Sequence, residues 1–142
     1  MDSLATGIGA LPHTDPRKAC DDVLAIYPGV PYIPTLPARG VLESIVFCDS
    51  SRLPGGVIAG DRITVDRSRD LSAEMEQIYL DYVEQRTGPY ALTARYASGF
   101  VEMTGRDLPG PMVLKCQVTG PVTFGMQVVD QDRRPIFYDE QF

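Results

Sequence analysis

Short apolar runs alternate with stretches of helical periodicity along this chain. Residues 5–11, 30–36 and 112–118 are apolar segments punctuated or bounded by Gly or Pro, a pattern that predicts buried strands. Pro31 and Pro34 weaken the second segment, because proline cannot donate a ladder hydrogen bond. Since strands separated by helices pair in parallel through crossovers, we expect an α/β fold with about three parallel strands in one sheet.

Two longer segments carry helical signals. Residues 15–27 begin with Asp15 and Pro16, an N-cap followed by the proline that suits a first helical position. Residues 73–87 have apolar side chains at helical spacing, which predicts one buried face formed by Met75, Ile78, Tyr79, Tyr82 and Val83. Shorter helices are expected within 41–48 and near 96–105.

A two-residue turn signal, Gly60 and Asp61, lies between two short β-prone runs at 57–59 and 62–65. This arrangement predicts a β-hairpin. Because the hairpin interrupts the alternation of strands and helices, we expect it to be an insertion at about residues 55–67 of a single domain that spans 1–142.

The composition excludes several classes of partner. A net charge of −6 argues against a surface for nucleic acid or anionic membranes, since both need basic patches. No apolar run approaches the roughly 18 residues of a membrane span, and no signal peptide is visible. The chain has three cysteines, at positions 20, 48 and 116. Because their number is odd and their spacing is wide, Cys20, Cys48 and Cys116 favour a cytoplasmic protein with neither disulfides nor a metal site of its own.

Candidate chemistry lies where predicted strands meet loops. Lys115, Gln117 and Thr119 share one face near the end of strand 112–118, and polar side chains on such a face are costly unless they border a cleft or find partners. The alternative is that Lys115 lies at the solvated start of the strand and Gln117 bonds to a neighbouring strand. Gly120 and Pro121 follow directly, a pair that suits a tight turn close to a ligand.

The only histidine, His13, follows the first predicted strand and precedes a helix start. A histidine there can bond to a substrate or transfer a proton, and it can equally cap local backbone. Arg39 and Glu43 follow the second predicted strand, where a site would also form. The competing interpretation, which we favour slightly, is a solvated surface pair. Phe124 and Met126 are expected in the core.

Two segments together resemble a known enzyme family. Residues 8–14 read I-G-A-L-P-H-T and residues 118–123 read V-T-G-P-V-T. They are similar to the I-G-S-F-P-Q-T and L-T-G-P-V-T stretches of cobalamin-independent methionine synthase, within the uroporphyrinogen decarboxylase superfamily. The resemblance implies the N-terminal part of a TIM (β/α)8 barrel, whose full form needs about 250 residues.

The resemblance also implies residue roles. Ile8, Gly9 and Ala10 would hold an amino-acid carboxylate, with Ala10 and His13 standing where the family has Ser and Gln. Glu43 would take the amino group, and the segment from Gly120 to Thr123 would lie on the methyl-donor side. The expected substrate-binding set is Ile8, Gly9, Ala10, His13, Glu43, Gln117, Thr119, Gly120, Pro121 and Thr123.

The implied activity is transfer of a methyl group from a folate or corrinoid donor to a thiol such as homocysteine. The family's zinc, held by a His-x-Cys pair and a later Cys, would come from a missing C-terminal half, so this chain alone is expected to be inactive and to self-associate or pair with that half. Two alternatives stay open: a decarboxylase of the uroporphyrinogen type, and a non-catalytic ligand-binding or assembly module.

Overall fold

A computed structural model describes residues 4–108, 113–140 and 142. The chain forms two compact units. Unit 1 comprises the described residues of Met1–Cys48 and Leu92–Val118, and unit 2 comprises those of Asp49–Ala91 and Thr119–Phe142. Each is treated below by itself.

Unit 1 is built on two helices, α1 (Pro16–Ile26) and α4 (Ser98–Thr104), which pack on each other. The predicted start of α1 is confirmed, because the Asp15 carboxylate accepts a hydrogen bond from the Arg17 N–H at 2.9 Å and Pro16 occupies the first turn. The short helix α2 (Ile45–Cys48) follows 3₁₀ turns at Pro37–Arg39 and Val41–Glu43. Unit 1 buries a cluster of Cys20, Val23, Tyr32, Ile33 and Met103.

The predicted partial TIM barrel is wrong. Residues 5–11, 30–36 and 113–118 form no strand, and Met112 lies outside the described residues. Within the described residues, the backbones of these segments pair only at isolated parallel bridges, Ala10 with Thr35 and Tyr32 with Lys115. The physical reason is that prolines at 31 and 34 have no N–H to donate, so a ladder between the segments cannot extend beyond single bridges.

Unit 2 contains the one sheet of the described residues, in the order β1-β2-β3. Strands β1 (Gly56–Ala59) and β2 (Arg62–Val65) are antiparallel and joined by the Gly60–Asp61 turn, so the predicted hairpin is confirmed. Gly60 has φ +62°, a conformation that favours glycine. The short strand β3 (Val129–Asp130) adds to β2 in parallel, which makes the sheet mixed.

The helices of unit 2 differ from expectation in extent and orientation. Helix α3 (Ser72–Val83) ends four residues before the predicted 87, because Gln85 adopts a left-handed conformation with φ +56°. Its predicted apolar face is not buried, since Tyr82 is 73% exposed. Helix α5 (Pro121–Gln127) begins at Pro121, where the sequence indicated only a tight turn formed by Gly120 and Pro121.

The buried apolar side chains of unit 2 come from the sheet and the segments around it. They are Ile63, Val65, Leu71, Val128 and Ile136. Phe124 and Met126, expected in the core, are partly buried and exposed respectively. Among the described residues, no helix is both long and apolar enough to cross a membrane.

Candidate functional site

The central group of unit 1 is the carboxylate of Glu43, which is only 4% exposed. The Arg39 Nε donates to Glu43 Oε1 at 2.6 Å. The hydroxyl of Ser98 donates to Glu43 Oε2 at 2.8 Å, and the Ser98 backbone N–H donates to the same oxygen at 3.3 Å. The interpretation as a solvated surface pair is therefore wrong for Glu43, which lies inside unit 1.

Local structure explains this placement. Gly40, with φ +150°, separates the two 3₁₀ turns that carry Arg39 and Glu43. The two side chains are four residues apart and reach each other on the same side of the chain. Ser98 is the first residue of α4, so its N–H lacks an intrahelical acceptor and is satisfied by the carboxylate instead.

The same arginine reaches the loop of the first motif. Arg39 Nη1 donates to the carbonyl oxygen of Thr14 at 2.7 Å. The loop is also tied to the segment before Arg39, because the Leu11 N–H donates to the Thr35 carbonyl at 3.0 Å. Two regions predicted from sequence to contribute to a site, residues 8–14 and Glu43, are thus joined within unit 1.

The residues at the start of the motif are exposed or partly exposed and offer backbone N–H groups. Ile8 and Ala10 are exposed, and Gly9 has φ +112° with open space where a side chain would stand. In the described part of the chain, no protein acceptor takes the N–H groups of Gly9 and Ala10. These donors are available to an anionic group from solvent.

His13 pairs with the first turns of α1. Its Nε2 lies 2.8 Å from Asp22 Oδ2, so the tautomer that carries its proton on Nε2 makes this hydrogen bond. The other ring nitrogen, Nδ1, is buried and has no hydrogen-bond partner among the described residues. His13 therefore offers a lone pair that no described group uses.

The segment 113–118, predicted to be a strand with a polar face, gives a mixed outcome for those polar side chains. Lys115 Nζ donates to the Gly7 carbonyl at 2.9 Å, so this ammonium is half-buried and anchored to the motif loop rather than solvated. The amide nitrogen of Gln117 is buried without a partner among the described residues, so the expected bond to a neighbouring strand is not seen there.

The remaining predicted residues belong to unit 2. The Thr119 N–H donates to Asp49 Oδ2 at 3.0 Å, while its buried hydroxyl has no partner in the described chain. Gly120 and Pro121 begin α5, and Thr123 lies exposed on it. Residues 8–14 lie in unit 1 and residues 119–123 in unit 2, so the expectation that both contribute to one substrate-binding set stays a prediction.

Sequence reasoning missed hydrogen-bond networks that surround buried acids. It did not select Ser98, for which no sequence signal points to Glu43 across 55 residues. It also missed Asp81 in unit 2, which is only 5% exposed although it is not part of the predicted apolar face of its helix. In the described residues no three His, Cys, Asp or Glu side chains come together as metal ligands.

Comparisons with protein-family models, with curated proteins and with solved structures give no match.

Proposed function

We propose that unit 1 binds an α-amino acid, and that the chain supplies the substrate-binding part of a methionine synthase-like S-methyltransferase. The observation that carries this proposal is the bond from Arg39 to Thr14, which joins the buried Glu43 to the motif loop. The proposed reaction rests on the resemblance in residues 8–14 and 118–123. The proposed substrate rests on the charged side chains of unit 1, which suit an α-amino acid.

The opposite charges of Glu43 and Arg39 complement the ammonium and carboxylate groups of an α-amino acid. A carboxylate has about four acceptor positions. Arg39 and Ser98 use three of those of Glu43, which leaves capacity for a ligand ammonium group. The Arg39 side chain is 37% exposed, and we propose that the ligand approaches Arg39 and Glu43 from that side. Burial of Glu43 strengthens its hydrogen bonds, because water screens them less.

The carboxylate of the ligand has donors on the other side. Arg39 uses Nε and Nη1 for protein acceptors, and its Nη2 has none among the described residues. The N–H groups of Gly9 and Ala10 are similarly unused in the described chain. We propose that His13 bonds to the substrate or transfers a proton, the two roles that a histidine beside the motif loop can take.

The methyl donor is proposed to be a folate or a corrinoid protein that approaches the segment from Thr119 to Thr123. Zinc, which makes a thiol nucleophilic at neutral pH, is proposed to come from outside this chain. Pairing with the source of that zinc, or self-association, stays a prediction. We propose that this activity belongs to the cytoplasm, where cysteines stay reduced, and in the described part of the chain Cys20, Cys48 and Cys116 form no disulfide.

Ligand binding by the whole chain tests the proposal. We expect L-methionine to shift the amide NMR signals of residues 8–14 and of Glu43, and Glu43→Gln to weaken its binding by about tenfold, the loss of one charge-assisted hydrogen bond. Asp21→Asn is the control, because Asp21 pairs with Arg106 away from this site. Binding that is absent, or unchanged in Glu43→Gln, would contradict the proposal.

A further inference from the structure

Unit 2 has an open cleft of about 760 Å³ that the proposed function does not use. It lies between residues 51–54, helix α3 and the 3₁₀ turn Gly88–Tyr90. The volume is in the range of about 300–1,000 Å³ that small-molecule sites occupy. Because every lining residue belongs to unit 2, the cleft is independent of the amino-acid site in unit 1.

A buried carboxylate forms the floor of the cleft. Asp81 accepts hydrogen bonds from Gln77 Nε2 at 2.8 Å, from Arg86 Nε at 2.9 Å and from the Tyr90 hydroxyl at 2.9 Å. Burial alone would raise the pKa of Asp81, but these three bonds outweigh it and hold the pKa below the ordinary value. Asp81 is therefore ionised at neutral pH and balances the charge of Arg86.

The end of α3 positions Arg86. Gln85 turns the chain with φ +56°, and the Arg86 N–H donates to the Asp81 carbonyl at 2.8 Å, as in a Schellman motif. This turn brings Arg86 back over Asp81, and Arg86 Nη1 also pairs with Glu84 at 2.9 Å. Arg86 is thus fixed and neutralised by two carboxylates.

Arg52 is different, because it is held in place but not neutralised. Its Nε donates to the Pro89 carbonyl at 2.9 Å, which fixes the guanidinium at the wall of the cleft. No carboxylate in the described chain pairs with it. The other acid of the lining, Glu74, is already engaged by the Gly55 N–H and by Arg69, at 2.8 and 2.6 Å.

The positive charge of Arg52 influences the pKa of the Tyr90 phenol. Burial raises the pKa of Tyr90, the hydrogen bond to Asp81 raises it further, and the positive charges of Arg52 and Arg86 act in the opposite direction. Tyr90 therefore remains a donor to Asp81, with the uncompensated cation of Arg52 nearby. Leu53, Pro54 and Ile78 add apolar surface to the same cleft.

We infer that this cleft binds a small organic carboxylate with an apolar body, with the two Nη groups of Arg52 as the anion-binding fork. A guanidinium matches a carboxylate through two parallel hydrogen bonds, and its fixed Nε reduces the conformational freedom lost on binding. The apolar body of the ligand would lie against Leu53 and Ile78. The inference does not depend on the proposed amino-acid site.

The test uses the whole chain and two matched probes, phenylacetate and its neutral amide, phenylacetamide. We expect phenylacetate to shift the amide NMR signals of residues 51–54 and 77–90, with an affinity about tenfold above that of phenylacetamide, the effect of one charged hydrogen-bonded pair. Arg52→Gln should remove that difference between the probes. Arg52→Lys, which keeps the charge but loses the fork, should keep only part of it.

Arg62→Gln is the control, because Arg62 is an exposed arginine of β2 in the same unit but outside the cleft. Equal binding of the acid and the amide, or an unchanged preference in Arg52→Gln, would overturn the inference. Tighter binding of inorganic phosphate than of phenylacetate at the same signals would overturn the assignment to a carboxylate.

Discussion

Replacement of Gly99 by alanine is the most severe small change that the structure predicts. Gly99 lies in the first turn of α4, next to the Ser98 that holds Glu43. A Cβ at this position would overlap the carbonyl oxygen of Pro34 and would lie 3.2 Å from Pro34 Cγ. Pro34 is fully buried and its ring fixes its φ, so the carbonyl cannot move away without a shift of the packed segment.

The expected loss of stability follows from this overlap. Overpacking a core typically costs about 1–3 kcal/mol, and we expect the upper end because the obstacle is backbone rather than a side chain. The better helix propensity of alanine offsets about 0.5–1 kcal/mol of a larger gross cost. With an unfolding entropy of about 2.1 cal/mol/K per residue over 142 residues, a net 3 kcal/mol lowers the melting temperature by about 10 °C.

Thermal melts followed by circular dichroism check this value, with Gly88→Ala as the matched control. No atom lies within 4 Å of the position that the Cβ of an alanine at residue 88 would occupy, so replacement of Gly88 should be neutral or slightly stabilising. Because Ser98 adjoins Gly99, the G99A variant should also lose amino-acid binding. A G99A melting temperature within about 2 °C of the wild type would refute the argument, since it corresponds to well under 1 kcal/mol.

Two further predictions concern a buried thiol and a strained turn. Burial, the largest cause, raises the pKa of the Cys20 thiol from 9.0 to about 11, with contributions from neighbouring acids and an opposing effect of Arg106. The folded chain then keeps a proton that the unfolded chain loses, so stability should be complete below pH 9 and fall by about 1.4 kcal/mol per pH unit from there toward pH 11. Denaturant titrations should show this slope, and Cys20→Ala should lack it; the same slope in that variant would assign it to other groups. Gln85→Gly should raise the stability of unit 2 by about 0.5–1 kcal/mol, because glycine adopts φ +56° without strain. Glu84→Gly, at φ −86°, should instead lower it, and destabilisation by Gln85→Gly would count against the strain at that turn.

The sequence predicted correctly those structural elements that are determined by a few adjacent residues. Asp15 and Pro16 start α1, and Gly60 and Asp61 form the hairpin turn, because caps and tight turns depend on adjacent residues. The prediction of a parallel sheet was wrong because apolar runs indicate that a segment is buried but not which segment it pairs with. Pro31 and Pro34 are buried in unit 1. Single bridges are found where a ladder of hydrogen bonds was expected.

The candidate site was predictable only where its residues are close in the chain. The four-residue spacing of Arg39 and Glu43 indicated a pair, but not that Glu43 would be buried. Its third partner, Ser98, comes from α4 through long-range packing that no spacing rule predicts. The buried Asp81 shows the same limit, because two of its three donors, Arg86 and Tyr90, lie beyond the end of its helix.

Isothermal titration calorimetry of homocysteine against its des-amino analogue, mercaptobutanoate, tests the central claim most directly. Both ligands carry the carboxylate and the thiol, and only homocysteine has the ammonium group that Glu43 is proposed to bind. The account predicts that the wild-type chain binds homocysteine about tenfold more tightly than the analogue, and that Glu43→Gln binds both alike. Equal affinity of the wild type for the two ligands would contradict the assignment of Glu43 and, with it, the amino-acid site.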